Sequence, residues 1–272
     1  MNQNTQPITR EEVYRLFVAL FISGIFFLPK FDLPIRRIFS NNWVANIIGG
    51  IIVAVLIEVW IKCKNYYSAL KFRNIFGDDV IERFFIVYGL MDKIESFPFS
   101  KAGVPYGFGN LTPTSAAQLR GVKYISQLFG RNVRTTPDLA TDVELKDRMD
   151  ISFCSIGGKN NWKTIDVEDH ESNTFFKFDG SPFGIVGKSN PQLKFTSDGP
   201  YDYGFIIKIK PNSLGNRTWI GIAGLGEWGT SGGAWYLARN WKEIEKNYGD
   251  KPFGLIVKVK DRQDESAQLV YQ

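Results

Sequence analysis

The stretch WVANIIGGIIVAVLIEVWI, residues 43–61, constrains this chain more than any other part of it. Only Asn46 and Glu58 interrupt it as strongly polar residues, and a helix of roughly 20 apolar residues is what a hydrocarbon core requires. The expectation is a transmembrane helix. A shorter run, LFVALFISGIFFL at residues 16–28, is uninterrupted, and snorkelling by Arg15 and Lys30, with apolar Pro29 and Phe31, lengthens it towards a second pass. A signal peptide suits it less well, because Glu11 and Glu12 stand in the would-be basic region and no small-residue cleavage site follows Leu28.

Basic residues set an orientation. Arg10, Arg15, Lys62, Lys64, Lys71 and Arg73 flank the two runs on the side of the termini, against Lys30, Arg36 and Arg37 between them, which places both termini inside a cell inner membrane. Glu58 reads as an interfacial carboxylate. Gly49 and Gly50 permit close helix approach and hence a homo-oligomer. The division that follows is a two-pass region at 1–64, a juxtamembrane helix and linker at 65–82, and a cytosolic α/β domain at 83–272. Part of the net charge of +5 belongs to the membrane-flanking segment, so no nucleic-acid partner is expected. The two cysteines, Cys63 and Cys154, make no disulfide framework. His170 is the single histidine, in the charged run DVEDHES, which disfavours metal sites and histidine-based triads; no cofactor is assigned.

In the remaining chain, IERFFIVYGL and DISFCSIGG read as buried strands, with NTFFKF, GIVGK, YGFIIKIK, TWIGIAG and FGLIVKVK as further strands between turn residues. TPTSAAQLRGVKYISQLFG reads as a helix with Thr112 as N-cap and Gly130 as C-cap, and TSGGAWYLARNWKEIEKNYG as a second, its Trp235, Tyr236 and Trp241 spaced for a core. The fold class expected is a membrane hairpin of two helices plus a Rossmann-like three-layer α/β sandwich with a mixed sheet, carrying an inserted hairpin near residues 174–187.

Gly224, Gly226 and Gly229 match G-x-G-x-x-G after an apolar strand and at the opening of a helix, the context that gives this motif meaning. Its chemistry requires a tight turn, a backbone able to approach a pyrophosphate and helix N-terminal N–H groups aimed at the anion. Thr230 and Ser231 add hydroxyls, Glu227 an acceptor for a ribose hydroxyl, and Trp228 a ring that can stack on a base. A second glycine turn, SIGGKNN, follows a buried strand: Gly157 and Gly158 form the turn, Lys159 brings positive charge, and Asn160 and Asn161 bring base- or ribose-reading amides. Two such loops meeting at the carboxyl edge of one sheet would form a ligand site. A dinucleotide enzyme is disfavoured, because Asp261 is the nearest ribose-binding acid and lies beyond the usual spacing of about 20 residues.

The two apolar runs, with IGIAGLGEWGT and SIGG, resemble bacterial two-pass membrane effectors whose cytosolic SLOG-like domains sense nucleotides in anti-phage signalling. The resemblance implies that ligand binding assembles the cytosolic domains and that clustered hairpins perturb the membrane. The function expected is a membrane-anchored sensor or effector binding a nucleotide-like ligand. Two alternatives stay open: a membrane-bound nucleotide-processing enzyme with Glu227 or Asp261 as base, and a scaffold whose glycine turns are structural.

Overall fold

The computed structural model describes residues 42–90, 114–133, 135–180, 183–197 and 199–272. The chain divides into two compact units, Met1–Cys63 and Lys64–Gln272. Residues 16–28 lie outside the described residues.

Helix α1 (Asn42–Phe76) corrects the membrane expectation. Among the described residues no helix is long and apolar enough to cross a membrane. Side chains of α1 are described from Gly49 onward. From there the apolar run is broken by Glu58 and closed by Lys62 and Lys64. Glu58 and Lys62 pair at 2.8 Å, one helical turn apart. The membrane hairpin, the transmembrane assignment and the two-pass inner-membrane location are therefore not supported.

The second unit begins inside α1. Its final turns, set apart in the sequence as a linker, carry Phe72, Ile75 and Phe76 fully buried in the domain core. Phe72 stacks on Phe76 with centroids 4.5 Å apart and meets Phe129 and Trp241 edge-on at 5.0 and 5.3 Å. The helix stops at Gly77, whose φ of 97° is a conformation that favours glycine. Lys208, itself buried, donates from Nζ to the Asn74 carbonyl at that helix end and to the Asp250 carbonyl, a cation at the negative pole of the helix.

After α1 come β1 (Phe84–Tyr88), α2 (Ala116–Asn132), β2 (Asp138–Thr141), β3 (Ser152–Ile156), α3 (Trp162–Asp169), β4 (Phe176–Gly180), β5 (Phe183–Gly187) and β6 (Lys194–Phe195). The chain then runs through β7 (Tyr201–Ile209), β8 (Trp219–Gly224), α4 (Glu227–Tyr248), β9 (Phe253–Lys260) and β10 (Gln263–Tyr271). Ser115 caps α2 by accepting from the Gln118 amide, Thr112 lying outside the described residues, and the helix runs past Gly130 to Asn132.

The main sheet has seven strands in the order β10-β9-β7-β8-β3-β1-β2. β2, β1, β3 and β8 are parallel, whereas β7 is antiparallel to both β8 and β9. A Rossmann-like sheet would continue in parallel through the glycine-rich helix; here α4 carries the chain from β8 over β7 to β9. Strand alternation builds both faces. Phe84, Ile86, Cys154, Ile156, Ile220 and Ile222 face α2 and α4, while Phe85, Val87, Phe153, Trp219 and Ala223 face the side holding Val167 of α3. The antiparallel sheet β4-β5-β6 covers that second side through Phe178, whose ring lies 5.0 Å from Phe205.

Candidate functional site

The chain leaves β1 and β8 towards the α2/α4 face and leaves β3 towards the α3 face. The β3 turn therefore sits in a parting of the connections, at the carboxyl edge where open α/β sheets take their ligands. A Cβ built on Gly158 would stand 3.9 Å from the Gly224 carbonyl, so the two glycine turns meet. Gly157 adopts φ 137° against the side chain of Gln118, which in turn accepts from the Gly89 amide at 2.6 Å. Gly121 lets α2 lie close to Ile156 and Ala234: a Cβ there would meet them at 2.7 and 3.3 Å.

The structure divides the sequence-predicted residues into two sets. Lys159, Asn160, Gly226 and Glu227 are exposed, and Gly158 and Trp228 are half-buried. Gly157, Gly224, Gly229, Thr230 and Ser231 are buried. Gly224 and Gly229 are packing glycines: a Cβ on Gly224 would stand 2.3 Å from the Thr230 nitrogen, and one on Gly229 would stand 2.2 Å from the Tyr203 carbonyl oxygen. Thr230 turns its hydroxyl inward, accepting from the Gly224 amide and donating to the Gly226 carbonyl. Ser231, with no exposed surface, donates to Asp264. Neither hydroxyl is open to a ligand.

A residue absent from the motif decides what the α4 N-terminus does. Asp202, at the start of β7, accepts from the Gly226 amide at 3.1 Å through Oδ1 and from the Gly229 amide at 2.6 Å through Oδ2. Its own neighbour Tyr203 donates a third amide at 2.8 Å. The protein's own carboxylate thus stands where a phosphate was expected. Burial pushes this carboxyl above the ordinary aspartate value, and the amides of Gly229, Tyr203 and Gly226 oppose that shift.

The α3 N-terminus is satisfied locally. Asn161 accepts from the amides of Lys163 and Thr164 at 3.0 and 3.4 Å, and Asp142 accepts from that of Trp162 at 3.1 Å. Asn161 also donates from Nδ2 to the carbonyls of Val87 and Ile156, tying β1 to β3. It is a fully buried structural amide.

Beside the α4 turn lies a polar cluster that the motif did not announce. The guanidinium of Arg120 sits 4.2 Å from the centre of the Trp228 ring, donates from Nε to Asp264 at 3.1 Å and from Nη2 to Ser231 at 3.2 Å. Tyr124 donates its hydroxyl to the same Asp264 oxygen at 2.9 Å, and burial followed by that bond pushes the phenol up to about 12. The available sign in the sequence was an acid inside an otherwise strand-like stretch, Asp202 in YDYGF and Asp264 in QDESAQLVY; a buried acid demands partners.

An open cavity of about 310 Å³ lies at the opposite, amino edge, between Asp78, Asp79, Glu82 and Arg217, and contains none of the predicted residues. There Arg217 and Asp79 pair at 2.8 Å. No group of three His, Cys, Asp or Glu side chains is placed to hold a metal ion among the described residues. His170 accepts from the Ser172 amide and meets Trp219 edge-on at 5.2 Å. Compared with family models, characterised proteins and solved structures, the chain matches none.

Proposed function

We propose that the α/β domain is a binding module for a nucleotide-like ligand, received over the carboxyl ends of β1, β3 and β8. The meeting of the two glycine turns carries this reading, because it brings exposed Lys159, Asn160 and Glu227 and half-buried Trp228 to one edge. Such an edge, at a parting of the connections, is the usual ligand position in open α/β sheets. The chemistry differs from that of a dinucleotide fold. Asp202 takes the Gly226 and Gly229 amides and Asn161 those of Lys163 and Thr164, so side chains carry most of the ligand contacts: an ammonium for phosphate, an amide for a base or ribose edge, an indole for stacking. Binding rather than turnover fits the cluster, since the Ser231 hydroxyl is buried and committed to Asp264.

Thermal denaturation of the full chain with mono-, di- and cyclic nucleotides tests the proposal. A ligand at about 100 times its Kd stabilises by about 2.7 kcal/mol. Lys159→Ala and Asn160→Ala change exposed side chains, so they are expected to fold normally and lose the shift. A flat panel for the wild type overturns the proposal. It would favour a structural role for both turns, a reading already supported by the close backbone packing at Gly224 and Gly229.

A further inference from the structure

Resting on the nucleotide-binding reading above, we propose that Arg120 receives the ligand's phosphate together with Lys159. With the Gly226 and Gly229 amides held by Asp202 and those of α3 by Asn161 and Asp142, a phosphate at this edge finds few free helix amides and calls for cationic side chains. Lys159 is exposed and a flexible point charge. Arg120 is different: its orientation is fixed before any ligand arrives.

Three contacts fix it. Nε bonds Asp264, Nη2 bonds Ser231, and the guanidinium lies against Trp228. The anchors are themselves held, since Asp264 is 4% exposed and accepts from Tyr124 as well, and Ser231 is fully buried. A guanidinium has five N–H donors in one plane, and stacking on a ring occupies its face while leaving its edge free. Two of those donors are used by Asp264 and Ser231. The Arg120 side chain retains 29% of its surface exposure, and three of its five N–H donors have no partner among the described residues. A simple clasp between α2, α4 and β10 would not require this geometry: Tyr124 and Ser231 already bind Asp264, and a lysine would supply the charge. Support of one half-exposed arginine by two buried groups and an aromatic face is the arrangement that preorganises an anion receptor.

Isothermal titration of the full chain with the four ribonucleoside 5′-diphosphates, each beside its nucleoside, tests the assignment in wild type, Arg120→Lys and Arg120→Gln. Thermal melting of each variant establishes that it is folded. The wild type is expected to bind at least one diphosphate more tightly than the matching nucleoside. Both variants are expected to lose roughly tenfold to a hundredfold in diphosphate affinity and distinctly less in nucleoside affinity. Lysine, keeping the charge without the fork, fails to restore binding. If Arg120→Gln does not fold, the diphosphate-to-nucleoside ratio in Arg120→Lys carries the test. Diphosphate binding unchanged in the variants, or an equal loss for diphosphate and nucleoside, overturns the role of Arg120 and leaves the nucleotide site standing. Failure of the wild type to bind either class overturns this inference, and a flat nucleotide panel overturns the nucleotide site with it.

Discussion

The two glycine turns share one sheet edge and solve the same problem in opposite ways. Each opens a helix whose first amides need acceptors. The β3–α3 turn finds its acceptor within its own sequence, in Asn161, immediately before Trp162. The β8–α4 turn has no side-chain cap at Gly226 and borrows one from Asp202 on a neighbouring strand. The first turn takes its cap from its own sequence, with Asp142 adding one acceptor from outside, and leaves room around Gly158; the second is locked into the sheet through Gly224, Gly229 and Asp202. A glycine pattern therefore reports that a turn is tight, but not whether the space in front of it is free.

Substitutions can break this contrast. The largest effect is expected for Gly229→Ala, where a Cβ would stand 2.2 Å from the Tyr203 carbonyl oxygen; a loss of about 3 kcal/mol is expected, read by urea denaturation. Asp202→Ala comes next, at about 2 kcal/mol, because two amides of α4 lose their acceptor inside the protein. Asn161→Ala should cost about 1–2 kcal/mol through the α3 cap and the carbonyls of Val87 and Ile156. Gly158→Ala closes the series, with a change under about 0.5 kcal/mol, since its new methyl would meet only the Gly224 carbonyl, at 3.9 Å. Equal losses at Gly158 and Gly229 would abolish the distinction between the turns.

A pH series sharpens it further. Burial raises the Asp202 carboxyl in the folded state, so the native protein holds that proton more tightly than the unfolded chain does. The contribution of this site to stability therefore increases as pH falls through the folded value towards the ordinary aspartate value of 3.8. Asp202→Asn has no such titration, and its deficit relative to wild type is expected to widen as pH falls from neutrality towards 3.8. The deficit of Asn161→Ala, measured by the same denaturation, should show no slope from this source.

Much of the fold was legible because it depends on local repetition. Alternation in FFIVY separates Phe84 and Ile86 from Phe85 and Val87 on the two sheet faces, Gly77 ends α1, and the hairpin expected near 174–187 is present as β4 and β5. Trp241 is buried in the core, with Trp235 and Tyr236 packed against it. What escaped depends on distance along the chain. Arg120 meets Asp264 across 144 positions and Asp202 meets Gly229 across 27, and no window of residues contains both partners. The same reason hid the end of α1. Phe72, Ile75 and Phe76 look like the tail of an exposed helix until Phe129 and Trp241 arrive from elsewhere to cover them. The apolar run misled differently: Glu58 reads as an interfacial carboxylate that residues 43–61 could tolerate, whereas no helix among the described residues is long and apolar enough to cross a membrane.

The direction of β7 has an effect beyond pairing. In a wholly parallel sheet every strand finishes at the ligand edge, so only residues from strand ends and the loops after them can gather there. Reversing one strand delivers a strand's first residues to that edge, and with them a carboxylate that comes to rest beneath a helix it does not adjoin in sequence. An electrostatic vacancy that evolution usually leaves for a phosphate has become, in this chain, a fastening between two secondary-structure elements.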